Sequence, residues 1–445
     1  MRRRWNEWFA ESRAQGSFIL AAGAVSILRL AGGLLLFVTQ VLLAAWMGAE
    51  NFGLYSYAWA WVAVIATVAG LGFGSTSVRF LASYQVEHSG ALIRGLVSFG
   101  RLTTLLVGTV VAAGSIVLVS ILAPDSPYLD SLRFALVAVP VLAFLQLEAA
   151  YARAFGWMTL STLAEQIGRP LLLIVLGTAL YELGDRPTAE AYVVACLIAY
   201  VLATVLQHIV VDGRLRRVIG KGPGERETAL WMRVSAALLL IGGTQMIRMN
   251  TDLLLVGTLL GPAELGIYTG AVRTATLVSF ALTVGSVVAQ PQLSALHAGR
   301  NRAELKHFLA ATTRWIFVAS LLAGLVVVVF GGRILGFFGR DFASGYLSLV
   351  ILAVGHVLVA VLGPVTSFLM MTGRQNSAAI VHVASAVANV LLNLVLIPRF
   401  GIVGAAVASS LNLIIMQLAL WILARRSLGA MVESAREGAT ANRPV

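Results

Sequence analysis

Residues 102–123 read Leu102-Thr-Thr-Leu-Leu-Val-Gly-Thr-Val-Val-Ala-Ala-Gly-Ser-Ile-Val-Leu-Val-Ser-Ile-Leu-Ala123, a run without a charged residue. As an α-helix such a run is about 33 Å long, enough to cross the hydrocarbon core of a bilayer. It does not alternate, and it is too long for a barrel strand of about 9–11 residues. Eleven further stretches of this kind fall near 18–46, 54–78, 133–153, 162–181, 189–211, 233–259, 268–290, 311–331, 345–371, 376–397 and 402–424. The chain therefore reads as an all-α polytopic membrane protein with twelve transmembrane helices. Its composition agrees: of 445 residues, 59% are hydrophobic and 12% charged. A soluble fold cannot bury that apolar excess, because its exterior must face water. Soluble enzymes, disordered chains and fibrous proteins are excluded. The N-terminal charged stretch runs on to Arg13, and span 1 is long enough to stay in the membrane, so a cleaved signal is not expected.

The net charge is +12. Twenty-three basic residues lie on the two tails and the five loops that share their side, five on the other six loops, and four inside spans. By the positive-inside rule both termini face the cytoplasm, placing the chain in a bacterial inner membrane. The charge is then a topology signal, and no nucleic-acid partner is expected.

Gly48-Ala-Glu-Asn-Phe-Gly53-Leu-Tyr55 follows span 1, and Gly261-Pro-Ala-Glu-Leu-Gly266-Ile-Tyr268 follows span 7. Both fit G-x4-G-[LI]-Y at an offset of 213 residues, and Ala91-Leu-Ile-Arg94 matches Glu304-Leu-Lys-His307 at the same offset. Glycines suit a tight turn between helices. An even number of spans separates the copies, which makes this a parallel repeat. The expected organisation is an N-terminal six-helix lobe (1–215), a cytoplasmic linker (216–232), a C-terminal six-helix lobe (233–428) and a cytoplasmic tail (429–445). Gly220-Lys-Gly-Pro-Gly224 reads as a flexible centre of the linker. Duplication for packing alone is one reading; two lobes rocking around a central cavity is the other.

Charges inside a membrane need a reason. Span 1 carries Arg29, with Ser26, Gly33 and Gln40 near one face. Span 7 carries Gln245, Arg248 and Asp252, with Asn250 to the side. Span 8 carries Thr269, Arg273, Thr276 and Thr283, span 11 His382, Ser385, Asn389 and Asn393, and span 5 Glu165 and Arg169. The plain reading of Arg248–Asp252 and Glu165–Arg169 is neutralisation one helical turn apart. For the Ser/Thr/Asn stripes it is helix-to-helix glue. For Arg29 and Arg273 it is an acid on another helix. The sharper reading is a cationic cavity for an anionic ligand, since guanidinium forks suit phosphate oxygens. Arg29, Arg248, Arg273, Gln245 and Asn250 would bind substrate. Asp252, Glu165 and Arg169 would be coupling or charge partners, and Gln40, Thr276, Asn389 and Asn393 polar cavity residues. Glu148 reads as an isolated acid. No G-x4-G-K-[ST] or H-E-x-x-H motif occurs, so neither catalysis nor a cofactor or metal is expected.

Several stretches resemble the polysaccharide and oligosaccharide flippases of the multidrug/oligosaccharidyl-lipid/polysaccharide exporter superfamily. They are Leu43-Ala-Ala-Trp-Met-Gly48 running into Glu50 to Tyr55, Thr251-Asp-Leu-Leu-Leu-Val-Gly257 with Gly261 to Tyr268, and Thr372-Gly-Arg374. The strongest is Asn389-Val-Leu-Leu-Asn393-Leu-Val-Leu-Ile-Pro398 with Gly401-Ile-Val-Gly404-Ala-Ala406. The resemblance covers about 15–428. It implies two six-helix lobes around a cavity lined by spans 1, 2, 7 and 8. It also implies alternating access that moves a polyprenyl-diphosphate-linked oligosaccharide from the inner to the outer leaflet. Cavity arginines would hold the diphosphate. The expected partners are that lipid-linked oligosaccharide, membrane lipids, and a polysaccharide polymerase and glycosyltransferases; a monomer is expected. Two rivals stay open: an ion-coupled drug or metabolite exporter of the same fold, and a non-transport scaffold for glycan assembly.

Overall fold

The computed structural model describes residues 2–184, 188–220, 222–298 and 302–441. The side chains of 2–27 and 427–441 lie outside this description, so the basic tails and Ser26 do too, as do Arg186, Lys221 and Arg300. The described residues are nearly all helical: α1 (Arg2–Ala69), α2 (Phe73–Val86), α3 (Gly90–Leu122), α4 (Leu129–Leu136), α5 (Val139–Ala154), α6 (Met158–Leu163), α7 (Arg169–Leu183), α8 (Ala189–Ile219), α9 (Thr228–Leu260), α10 (Pro262–Ala298), α11 (Arg302–Phe338), α12 (Tyr346–Leu362), α13 (Val365–Met371) and α14 (Gln375–Ala441). A π-helical turn, Ala164–Gly168, joins α6 to α7.

Among the described residues nine helices are long and apolar enough to cross a membrane, ten if the bent pair α4 and α5 is one span. That is fewer than the twelve stretches read from the sequence. The difference lies in α1 and α14, which each contain two such stretches. A non-helical glycine interrupts each helix: Gly48 (φ 73°, ψ 174°) in α1 and Gly401 (φ 59°, ψ −142°) in α14.

The helices stand because lipid offers the backbone no hydrogen bonds, so each apolar run must satisfy its own. α3 shows the two-faced result. Leu106, Val110, Leu118 and Leu122 are exposed, as lipid-facing residues would be, while Gly100, Thr104, Gly108 and Ala112 are buried at helical spacing. The buried stripe is small so that α5 can approach. A Cβ on Gly108 would lie 2.9 Å from the Cα of Pro140, and one on Gly100 would lie 2.6 Å from the Tyr151 hydroxyl.

The described chain packs as two compact units, residues 1–270 with 335–344 and residues 271–334 with 345–445. In the first unit, Phe73, Leu96, Leu147, Tyr151 and Trp231 form a core joining α2, α3, α5 and the start of α9. In the second, Leu293, Phe368, Leu369 and Leu420 form a core among α10, α13 and α14. There Ser385 donates to Asn412 (3.2 Å), and Gln417 donates to the Gly363 carbonyl (2.9 Å). The polar residues of α14 thus act in part as glue between helical segments.

The glycine-rich linker is docked. Arg94 of α3 donates to the carbonyls of Pro223 (3.0 Å) and Ile219 (3.1 Å), and the Glu225 amide donates to Ala91 (3.0 Å). The expectation of a flexible linker is thus corrected for its described residues. Gly222 and Gly224 supply not freedom but room, because a Cβ at either would press on Arg94 or Gly95. Beyond them, the buried Trp231 indole donates to Tyr84 (3.0 Å), whose hydroxyl donates to Glu227 (2.6 Å). Burial and that carboxylate acceptor push the Tyr84 phenol up to about 12. Its contribution is therefore full below the unfolded phenol value of about 10 and is lost as pH rises through about 12. Tyr84→Phe should lower stability by about 1–3 kcal/mol by stranding the buried Trp231 indole N–H. Thermal unfolding of the detergent-solubilised protein measures it, and an unchanged midpoint would count against the docked linker.

Candidate functional site

The two G-x4-G-[LI]-Y copies are equivalent turns. Gly48 and Gly261 share one left-handed conformation, φ 73° and 95° with ψ 174° and 178°. Within the first unit the copies meet backbone to backbone. A Cβ on Gly53 would collide with the Pro262 carbonyl, and one on Gly266 with the Ala49 carbonyl. Beside this contact Tyr57 stacks on Tyr128 (4.0 Å between centroids) and reaches Thr258 (3.1 Å), while Tyr128 donates to the Gly257 carbonyl (2.8 Å).

Each copy ends in a buried tyrosine that organises a polar group. Tyr268 donates to Asp252 Oδ2 (3.0 Å), and the Leu253 amide donates to Oδ1 (2.9 Å). Arg248, one turn back on α9, lies within electrostatic reach of Asp252, yet its Nε is buried without a hydrogen-bond partner. Gln245 on the same helix is exposed, and Asn250 turns back onto the Met246 carbonyl (2.9 Å). Tyr55 donates to the Cys196 thiol (3.4 Å).

A second cationic group forms around the π-helical turn. Arg29 of α1 and Glu165 both lie within electrostatic reach of Arg153 on α5. Gly32, one turn on from Arg29, touches the turn so closely that a Cβ there would lie 2.8 Å from Gln166 Cβ. The Arg29 Nε and Gln166 Oε1 are buried without hydrogen-bond partners. Glu165 and Arg169 do not form the intrahelical ion pair offered as their plain reading; among the described residues neither has one. Arg169 instead donates to the Tyr200 hydroxyl (3.0 Å) and lies over that ring.

Gln40 is buried on α1. Arg273 and Thr276 fall in the second unit, where Thr276 is exposed and bonded to its own helix. Asn389 and Asn393 are buried in that unit and joined to each other through Asn393 Nδ2 and the Asn389 carbonyl (2.9 Å).

The structure corrects the reading of Glu148 as an isolated acid. Glu148 is wholly buried and accepts both prongs of Arg101, at 2.7 and 3.1 Å, with His208 Nδ1 at 3.2 Å. Arg101 also reaches Asp212 (2.7 Å), which pairs with Arg216 (2.6 Å). The spacing of His208, Asp212 and Arg216 on one face of α8 was the signal available in the sequence. Ending the sixth apolar stretch at residue 211 hid it, because α8 continues to Ile219.

All-helical architecture and long apolar spans define a polytopic membrane protein, and the fold is that of a transporter class. The structure matches the inward-facing conformation of a multidrug resistance MATE family transporter of the MOP superfamily with a TM-score of 0.75. The match covers 92% of this chain and 99% of that one, at 16% identity. It matches an outward-facing conformation of such a transporter at 0.68, covering 93% and 96%, at 14% identity. These likenesses show the fold. The chain belongs to the polysaccharide biosynthesis protein family, whose model matches residues 21–297; the MatE model matches 239–395. It is also 31% identical over 163 residues to the probable low-salt glycan biosynthesis flippase Agl15 of Haloferax volcanii. That match spans 36% of this chain and about a third (34%) of the relative.

Proposed function

We propose that this membrane transporter is a flippase that moves a polyprenyl-diphosphate-linked oligosaccharide from the inner to the outer leaflet by alternating access, for surface or exported polysaccharide. The carrying observation is that Arg29 and Arg248 each keep a buried guanidinium Nε without a hydrogen-bond partner. A charge at mid-membrane costs about 2.5–3.5 kcal/mol on insertion scales, so such groups are retained for a reason. An oxyanion would complete both, as Arg forks match phosphate geometry. Family membership and the flippase relative support the glycan, and the fold's occurrence in inward- and outward-facing forms supports alternating access. In this reading the repeat marks two six-helix lobes, both termini face the cytoplasm, and Arg29 and Arg248 hold the diphosphate.

The MatE match over 239–395 favours a second reading, an ion-coupled exporter of small molecules in which Asp252 titrates. Depletion separates the two. The flippase reading expects a lipid-linked oligosaccharide to accumulate in the inner leaflet by mass spectrometry, and Arg248→Ala to reproduce this at equal protein level. Drug sensitivity without such accumulation would establish the exporter instead.

A further inference from the structure

Arg169 is the guanidinium that the flippase reading leaves without a ligand role. Aromatic and thiol groups pack around it, while Glu165 lies within electrostatic reach without forming an ion pair. Its guanidinium carbon lies 4.8 Å from the centre of the Tyr200 ring, and Nη1 donates to the Tyr200 oxygen at 3.0 Å. Trp59 packs at 5.0 Å from the same ring and 6.1 Å from Tyr55. Two donors in this group, Arg169 Nε and Trp59 Nε1, are buried without hydrogen-bond partners. Tyr55 is already committed to Cys196 (3.4 Å).

The chemistry is one-sided. A guanidinium with an unpaired Nε and an unsatisfied indole N–H share one ring as neighbour, and among the described residues no ion pair reaches Arg169. Buried donors are nearly always satisfied in native structures, and an unsatisfied one calls for an explanation. Water would serve the N–H but leave the charge. An oxyanion serves both, and the aromatic walls strengthen its attraction to the guanidinium by excluding solvent.

We infer that Arg169, with Trp59 and Tyr200, forms an oxyanion-binding station inside the first unit, separate from Arg248. The ligand group is a phosphate or a carboxylate, and its part in transport rests on the flippase reading. The Arg29–Arg153–Glu165 group adjoins it through the π turn, so an anion held at Arg29 has a second station one helical segment further along. The two sources of such a group are the diphosphate of the lipid carrier and a carboxylated sugar of the glycan.

The test uses the full-length protein in nanodiscs, with inorganic pyrophosphate and D-glucuronate as separate probes. Phenylglyoxal modification of Arg169 is followed by peptide mass spectrometry. Protection of Arg169 by pyrophosphate alone supports the station with the carrier's phosphate as source. Protection by glucuronate alone supports it with the sugar carboxylate. Arg169→Gln should weaken binding of the protecting probe about tenfold or more, and Arg169→Lys less, since lysine keeps the charge but loses the fork. Lack of protection by either probe, with Arg169 reacting in the untreated protein, overturns the station. So does unchanged probe affinity in a monodisperse Arg169→Gln variant. Neither measurement depends on polysaccharide output, so the station can fail while the flippase reading stands, and the reverse.

Discussion

Glu148→Leu should destabilise the protein by about 3–5 kcal/mol, because it leaves the guanidinium of Arg101 buried with only part of its partners. Arg101 keeps Asp212, but Asp212 already serves Arg216, and both prongs to Glu148 are lost. The bidentate geometry and the complete burial of Glu148 put the pair where water cannot take over. Arg101→Met combined with Glu148→Leu should recover most of the loss, since an apolar pair of similar volume often replaces a buried ion pair without cost. Thermal unfolding of the four-member cycle in detergent, monitored by monodispersity, reads this. Purely additive losses would show that the two residues do not act as a pair.

Gly266→Val should prevent accumulation of folded protein, and Gly53→Val should do the same. At each position a side chain would occupy the place of a carbonyl group on the facing turn, and backbone cannot swing aside as a long side chain can. Gly48→Ala provides the contrast. Nothing lies near a Cβ there, so the cost is conformational only, about 1–3 kcal/mol for an L-residue held in a region nearly restricted to glycine. The folded fraction after extraction, by size-exclusion with fluorescence detection, ranks the variants. Equal behaviour of Gly48→Ala and Gly266→Val would mean that close approach is not what selects Gly266.

The class of fold was legible because lipid enforces one rule on every span, and a run such as 102–123 cannot obey it except as a helix. The repeat was legible because two turns require glycine at equivalent positions. The count of continuous helices was not, since the polar breaks at Gly48 and Gly401 separate the apolar stretches while a helical run passes through each with one non-helical glycine. Nor were the partners of buried charges. An i,i+4 rule joined Glu165 to Arg169, whereas Arg169 donates to Tyr200 on α8, a partner distant in sequence. Glu148 looked solitary because its partners come from α3 and α8, distant in sequence and brought near only by packing. The glycines of the linker looked like slack for a related reason, as glycine marks close approach as readily as freedom.

The contact between the two turns is reciprocal. Gly53 of one copy meets Pro262 of the other, and Gly266 meets Ala49; at the offset of 213 residues these are the same pair of positions exchanged. Reciprocity of that kind is the mark of an isologous interface, in which residue i touches j and j touches i. It is what two identical subunits make around a twofold axis. The seam therefore has the local twofold reciprocity of an isologous interface within a single chain. Across it the chemistry is unequal: Tyr55 holds a thiol and Tyr268 a carboxylate.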